Sequence, residues 1–232
     1  MQALKAVIAA GVMALWAAPL MAQQDRLISV VGEGQVAAAP DLATVTLGVT
    51  QEAKLAAEAL RAVSSATRDV FDGLEAMSIE SRDIQTSRLS LNPQWSTRKQ
   101  NGREFNVISG YTASNMVTVI VRDLENLGVV LDAVVQSGAN NFNGLSFGFA
   151  EPQALEDAAR IAAVGDARRK AEMLAQAAGV TLGDVQSISE TAGRNRPVPL
   201  ADARMAMESA VPIAEGELSL TSRVSVVFSI AE

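Results

Sequence analysis

The sequence predicts an α+β fold, with mixed or antiparallel sheet, two long helices and one shorter helix, built from βαβ-like units. Three observations predict it. Residues 42–51 alternate, with Val45, Leu47 and Val49 on one side and Thr44, Thr46 and Thr50 on the other, the signature of a half-buried strand. Residues 52–77 and 153–178 switch to apolar positions every three or four residues, the period of a helix. Strand–helix–strand order then occurs twice, over 42–92 and 113–149, joined by a hairpin signal.

Taken in order, 27–36 (LISVVGEGQV) is β-branched and reads as a strand with a flexible or bulged glycine end, and Pro40-Asp41 breaks it. The 52–77 helix carries its apolar line on Ala56, Ala59, Val63, Ala66, Val70, Leu74 and Met77. Residues 84–95 return to strand, with Leu89 and Leu91 on one face. Asn101-Gly102 is a strong two-residue turn signal. Residues 105–121 form the return strand, where Gly110 marks a bulge or a close backbone approach. A shorter helix spans 124–135 and Gly138 caps it. A strand at 142–149 leads to Pro152 in the first turn of the next helix. That helix carries a small-residue stripe on Leu155, Ala158, Ala162, Ala167, Ala171, Leu174 and Ala178. Such a stripe suits close packing on its own sheet or a subunit interface. Residues 184–190 form a short strand, 192–212 a long loop, and 218–230 the clearest strand of the chain. No Pro/Gly/Ser linker divides residues 23–232, which read as one domain.

Residues 1–22 have a short n-region with Lys5, an apolar core and a small residue at Ala22, the pattern of a cleaved secretory signal peptide. As an anchor the stretch is at the lower limit of the ~20 residues a span needs. Removing it leaves a net charge of −8. That balance and the 4% aromatic content argue against nucleic acid as a partner. The chain has no Cys and no His. Disulfides, thiolate nucleophiles, Cys/His zinc sites and imidazole general bases are therefore excluded.

What chemistry remains is thin. Gly32-Glu33-Gly34 follows a strand, but a dinucleotide loop needs a third glycine and a helix after it. Ser96-Thr97-Arg98-Lys99 matches the S-x-x-K nucleophile motif outside its helical context and without its companion motifs. Glu151, Glu156 and Asp157, and Asp202 with Glu208, are carboxylates close in sequence, without the spacing of a calcium loop. Met205 and Met207 are thioethers open to oxidation, in a chain with no thiol to cycle. The residues assign no catalytic, cofactor-binding or metal site.

Several motifs, in order along the chain, resemble the SIMPL-domain (DUF541) family. They are Ile28 to Gly34, Pro40-Asp41-Leu42-Ala43, Asp83-Ile84-Gln85-Thr86, Gly110 to Asn115, Gly138-Ala139-Asn140, Leu145-Ser146-Phe147, the A-x-x-D-A-R-x-K-A pattern within 158–171, and Gly216-Glu217-Leu218. The resemblance implies an exported bacterial protein, periplasmic or outer-membrane-associated, linked in some members to oxidative-stress defence. It brings no catalytic residues. The expectation is a non-enzymatic protein that forms a homo-oligomer and contributes indirectly to envelope or oxidative-stress tolerance. The alternative is a periplasmic small-molecule or peptide-binding module with 192–212 as a lid; an enzyme using carboxylates, Ser, Lys or Tyr111 is a third reading.

Overall fold

A computed structural model of the chain describes residues 26–190, 198–199 and 213–231. The signal-like segment 1–22, most of the 192–212 loop, and with it Asp202, Met205, Met207 and Glu208, lie outside the described residues. The elements run β1 (Leu27–Ala38), β2 (Leu42–Ala53), α1 (Ala56–Ala76), β3 (Ile84–Gln100), β4 (Arg103–Val121), α2 (Leu127–Gln136), β5 (Asn141–Gly148), α3 (Gln153–Ala178), β6 (Thr181–Glu190), β7 (Val198–Pro199) and β8 (Leu218–Ala231). No described helix is long and apolar enough to cross a membrane.

One sheet has the order β3-β4-β2-β5, with every neighbouring pair antiparallel. β2 and β3 therefore run parallel with β4 between them, and β4 and β5 run parallel with β2 between them. Both predicted strand–helix–strand units are thus split βαβ units, and β2 to β5 form the β-α-β-β-α-β arrangement of ferredoxin-like folds. The helices cover one face. Val45, Leu47 and Val49 of β2 meet Ala59, Val63, Val70 and Leu74 of α1 and Leu127, Val130 and Val134 of α2 in one buried cluster.

The second sheet has the order β1-β8-β6, again antiparallel, with β7 paired to the first residues of β8. α3 lies across β1 and β8 and closes a second cluster around Val30, Val224, Val226 and Phe228. In sequence the whole β2–β5 lobe is inserted between β1 and α3. Asp41 fastens the two crossings together. Its N–H donates to Gly148 O at 3.1 Å, and its Oδ1 accepts from Ala150 N at 2.7 Å.

The small-residue stripe of α3 differs from the sequence reading. The buried positions are Ala159, Ala163, Ala167, Ala171 and Ala175, a strict four-residue stride. Leu174 is exposed and Ala158 and Ala162 lie beside the stripe. The physical reason is on the facing strand. A Cβ on Gly32 would sit 2.0 Å from Ala163 O, and one on Gly34 would sit 2.1 Å from Ala159 O. The helix rests on bare backbone, and its contact line is alanine at every buried position. The glycines are not a bulged end either, because β1 pairs with β8 without a break from Leu27 to Ala38.

Boundaries differ elsewhere too: α2 starts at Leu127 and not at 124, and β6 at Thr181 and not at 184. β2 runs on to Ala53, because Gln51 to Ala53 pair with Ala113 to Tyr111, so α1 starts at Ala56. β3 extends from the predicted 95 to Gln100, making a long hairpin with β4 closed by Asn101 and Gly102 at φ 54° and 77°. Those left-handed values are the geometry that favours Asn-Gly in a two-residue turn.

Two substitutions separate crowding from helix propensity. Gly32→Ala must push α3 off β1, and overpacking of this kind costs about 1–3 kcal/mol or more. Gly165 is in the same helix, with nothing within 4 Å of its missing Cβ. Gly165→Ala should stabilise by about 0.5–1 kcal/mol. Urea midpoints of the two variants are expected to move in opposite directions.

Candidate functional site

The groups best placed for chemistry are the paired ions. Asp83 closes a short 3-10 turn (Ser81–Asp83) before β3 and is buried, with 6% of its surface exposed. Arg122, at the end of β4, donates to it in a fork, Nε to Oδ2 at 3.0 Å and NH2 to Oδ1 at 2.8 Å. These bonds hold the Asp83 carboxyl below its ordinary value, outweighing the burial that raises it; the charges of Arg122 and Arg82 add to the lowering. The pair borders a cleft of about 330 Å³ lined also by Met77, Ile79, Glu80, Asp123 and Asn126. Both Asp83 oxygens accept from Arg122. Its geometry is that of a clamp tying the α1–β3 connection to β4.

The second ionic group lies along β1. As an edge strand, β1 has backbone groups with no neighbouring strand on one side. Lys170 Nζ donates to Val31 O at 2.9 Å, and Glu33 N–H donates to Asp166 Oδ2 at 3.0 Å. Lys170 also pairs with Asp166 at 2.7 Å, and Arg169 bonds the same carboxylate. The Lys170 bond first, then the Glu33 N–H and Arg169, drive the Asp166 carboxyl well below the usual carboxylate range. Glu33 itself pairs with Arg223 of β8. This network satisfies a sheet edge.

The predicted carboxylates Glu156 and Asp157 both bond Arg160, which also reaches Glu190 of β6. Glu151 is exposed at the start of α3 and is not part of that set. No group of three acidic residues able to hold a metal ion is found among the described residues. Ser96 and Lys99 lie in β3, where a spacing of three puts their side chains on opposite faces, so the amine does not meet the hydroxyl. Tyr111 is partly buried against the first core.

The remaining motif residues serve the backbone. Asn140 lies just before β5, and its side-chain amide substitutes for a strand. Oδ1 accepts from Thr50 N at 2.8 Å, and Nδ2 donates to Thr50 O at 2.9 Å. A Cβ on Gly110 would come within 3.0 Å of Ala53 O, beside a register shift at Gln94/Trp95.

One surface stands apart, and sequence reasoning missed it. Beyond that shift, β3 and β4 continue as a two-stranded arm. Trp95 and Ile108 face each other on one side and are 62% and 47% exposed. Phe105, on the other side opposite Arg98, is 49% exposed. Trp95, Phe105 and Ile108, flanking Asn101-Gly102, were the available signal.

Over residues 28–228 the chain matches the family model SIMPL, described as "Protein of unknown function (DUF541)". It is similar to the "26 kDa periplasmic immunogenic protein" of Brucella melitensis, with 39% identity over 218 residues, 90% of this chain and 87% of that protein. It is also similar to the "Uncharacterized protein YggE" of Escherichia coli K12, with 31% identity over 205 residues, 86% of this chain and 81% of that protein. The namesake in Edwardsiella ictaluri is 31% identical over 207 residues, 87% of this chain and 85% of that protein.

The depressed carboxylates set the acid limit of stability. A group whose value is lowered by folding contributes stability that is present above its unfolded value, ~3.9 for Asp, and is lost as the pH falls through the folded one. Stability should therefore be level near neutrality and fall below about pH 4. Asp83→Asn, which weakens a charge-assisted fork, is expected to cost on the order of 1–3 kcal/mol at pH 7. It should also flatten the acid limb of the urea midpoint plotted against pH.

Proposed function

We propose, since this chain belongs to the SIMPL (DUF541) family, that it is a periplasmic protein that acts by assembling with copies of itself and not by catalysis. Any contribution to envelope or oxidative-stress tolerance is then indirect. The periplasmic part rests on the name of the Brucella relatives and on the signal-like pattern of residues 1–22. The non-catalytic part rests on how the motif residues are spent. Gly32, Gly34, Asp41, Asp83, Gly110 and Asn140 each serve a close approach, a clamp or a strand end. A chain without Cys also has no thiol to cycle with an oxidant.

The observation that carries the assembly reading is the arm. An isolated two-stranded hairpin is marginally stable in water, and this one displays Trp95, Phe105 and Ile108 on its two faces. Large exposed apolar groups grouped on one element mark an interaction surface. The α3 stripe does not supply that surface, because its alanines are buried within the chain.

Size-exclusion chromatography with light scattering on residues 23–232 tests this. The expected mass at micromolar concentration is a multiple of the chain mass, and a clean monomer overturns the assembly reading. Replacing Met205 and Met207 by Leu is expected to leave any protection against peroxide unchanged; loss of protection would show that the thioethers act directly.

A further inference from the structure

We infer that the β3–β4 arm of one copy docks on the acidic side formed by α2 and the β5 edge of the next copy. The inference rests on the self-assembly proposed above and adds which surfaces meet. Its basis is the distribution of charge. Between Ile84 and Val121 the chain carries Arg88, Arg98, Lys99 and Arg103 against Glu104 alone, a net +3. Residues 23–232 together carry −8, so everything outside the hairpin sums to −11. From Asp123 to Gly148, which covers α2 and β5, there is no Lys or Arg, and Asp123, Glu125 and Asp132 are present.

That acidic stretch also has exposed apolar groups to receive the arm. Val129 and Val135 face outward from α2, whose buried side is Leu127, Val130 and Val134. Phe142 and Leu145 are exposed on β5, an edge strand of its sheet. Leu145 pairs with the core residue Val45, so it lies on the helix-covered face, the same side as α2. The two surfaces thus match in charge and in apolar content. Apolar and aromatic anchors supply the buried contact, and the flanking ions fix partner and orientation.

Two other occupants fit less well. Arm-to-arm pairing about a two-fold axis would set +2 against +2 at short range, from Arg98, Lys99 and Arg103 less Glu104. A lipid surface is disfavoured by the order of residues along the arm. Arg98, Lys99 and Arg103 surround the tip, with Phe105 level with Arg98 and Trp95 and Ile108 behind, so end-on entry would carry three charges into the hydrocarbon with the first ring. A contact between two different patches is heterologous, so repeated copies close into a ring or grow as a filament.

A charge swap tests this on residues 23–232. Arg98→Glu with Arg103→Glu should weaken association at least tenfold at moderate salt, and so should Glu125→Lys with Asp132→Lys. Mixing the two double variants should restore assembly, since each then offers a surface the other complements. Trp95→Ser should weaken it at any salt. Circular dichroism and urea midpoints near wild type confirm that each variant folds, since these positions lie outside both cores. If the wild type assembles and neither reversal changes it, the arm inference fails while self-assembly stands. If the wild type is monomeric, self-assembly itself fails. If monomeric wild type sediments with phosphatidylglycerol vesicles and Trp95→Ser does not, the partner is lipid and the inference is overturned.

Discussion

The β1–β8–β6 lobe depends on how closely α3 can lie on β1. Side chains ordinarily hold a helix off a sheet. Here Gly32 and Gly34 present bare backbone to the carbonyls of Ala163 and Ala159, and the contact line of the helix is alanine throughout. Alanines bury little area, at roughly 25 cal/mol per Å². The seam compensates by density, since dispersion contacts are many when backbones approach. Closeness then makes the polar bonds reachable. Lys170 and Asp166 sit one turn apart and meet Val31 O and Glu33 N on the open edge of β1. A thicker seam would leave those backbone groups to water or to a foreign strand.

The same economy explains why the chain looks poor in chemistry. Its best-placed ions are bonded in full to each other or to backbone. Asp83 gives both oxygens to Arg122, Asp166 accepts from three donors, and Arg160 spans Glu156, Asp157 and Glu190. Groups used in this way hold connections and edges. What the fold leaves uncommitted is surface: an aromatic, basic hairpin beyond the sheet, and a helix with exposed valines and nearby carboxylates beside an edge strand.

Legibility in the sequence followed periodicity. The alternation in β2 and β8 and the 3.6-residue line in α1 found their elements, and Asn101-Gly102 located the hairpin turn. The duplicated strand–helix–strand order was visible, but its interleaving was not, because strand order is set by contacts far apart in sequence. The α3 stripe was misplaced because a helix this rich in alanine has no strong apolar face. Its inward line was decided by two glycines more than a hundred residues upstream. The arm was passed over because its tip is polar. Its exposure follows from the extra length of β3 and β4, and strand ends are poorly marked in sequence.

The insertion of one lobe within the other has a consequence for the order of events when the chain is made. All strands of the inserted sheet lie between residues 42 and 148. They can find one another as soon as that stretch is free. β1 cannot pair until β8 arrives, since Leu27 meets Ser229 across almost the full length of the chain. Loop closure of that span grows only slowly with length, but it becomes far smaller once the intervening lobe has condensed and Asp41 has joined its two ends. The first strand to emerge is therefore among the last to be paired, and until then a β-branched segment with two glycines waits with both edges open. A protein built to this plan benefits from being held unfolded until its final residue has been delivered.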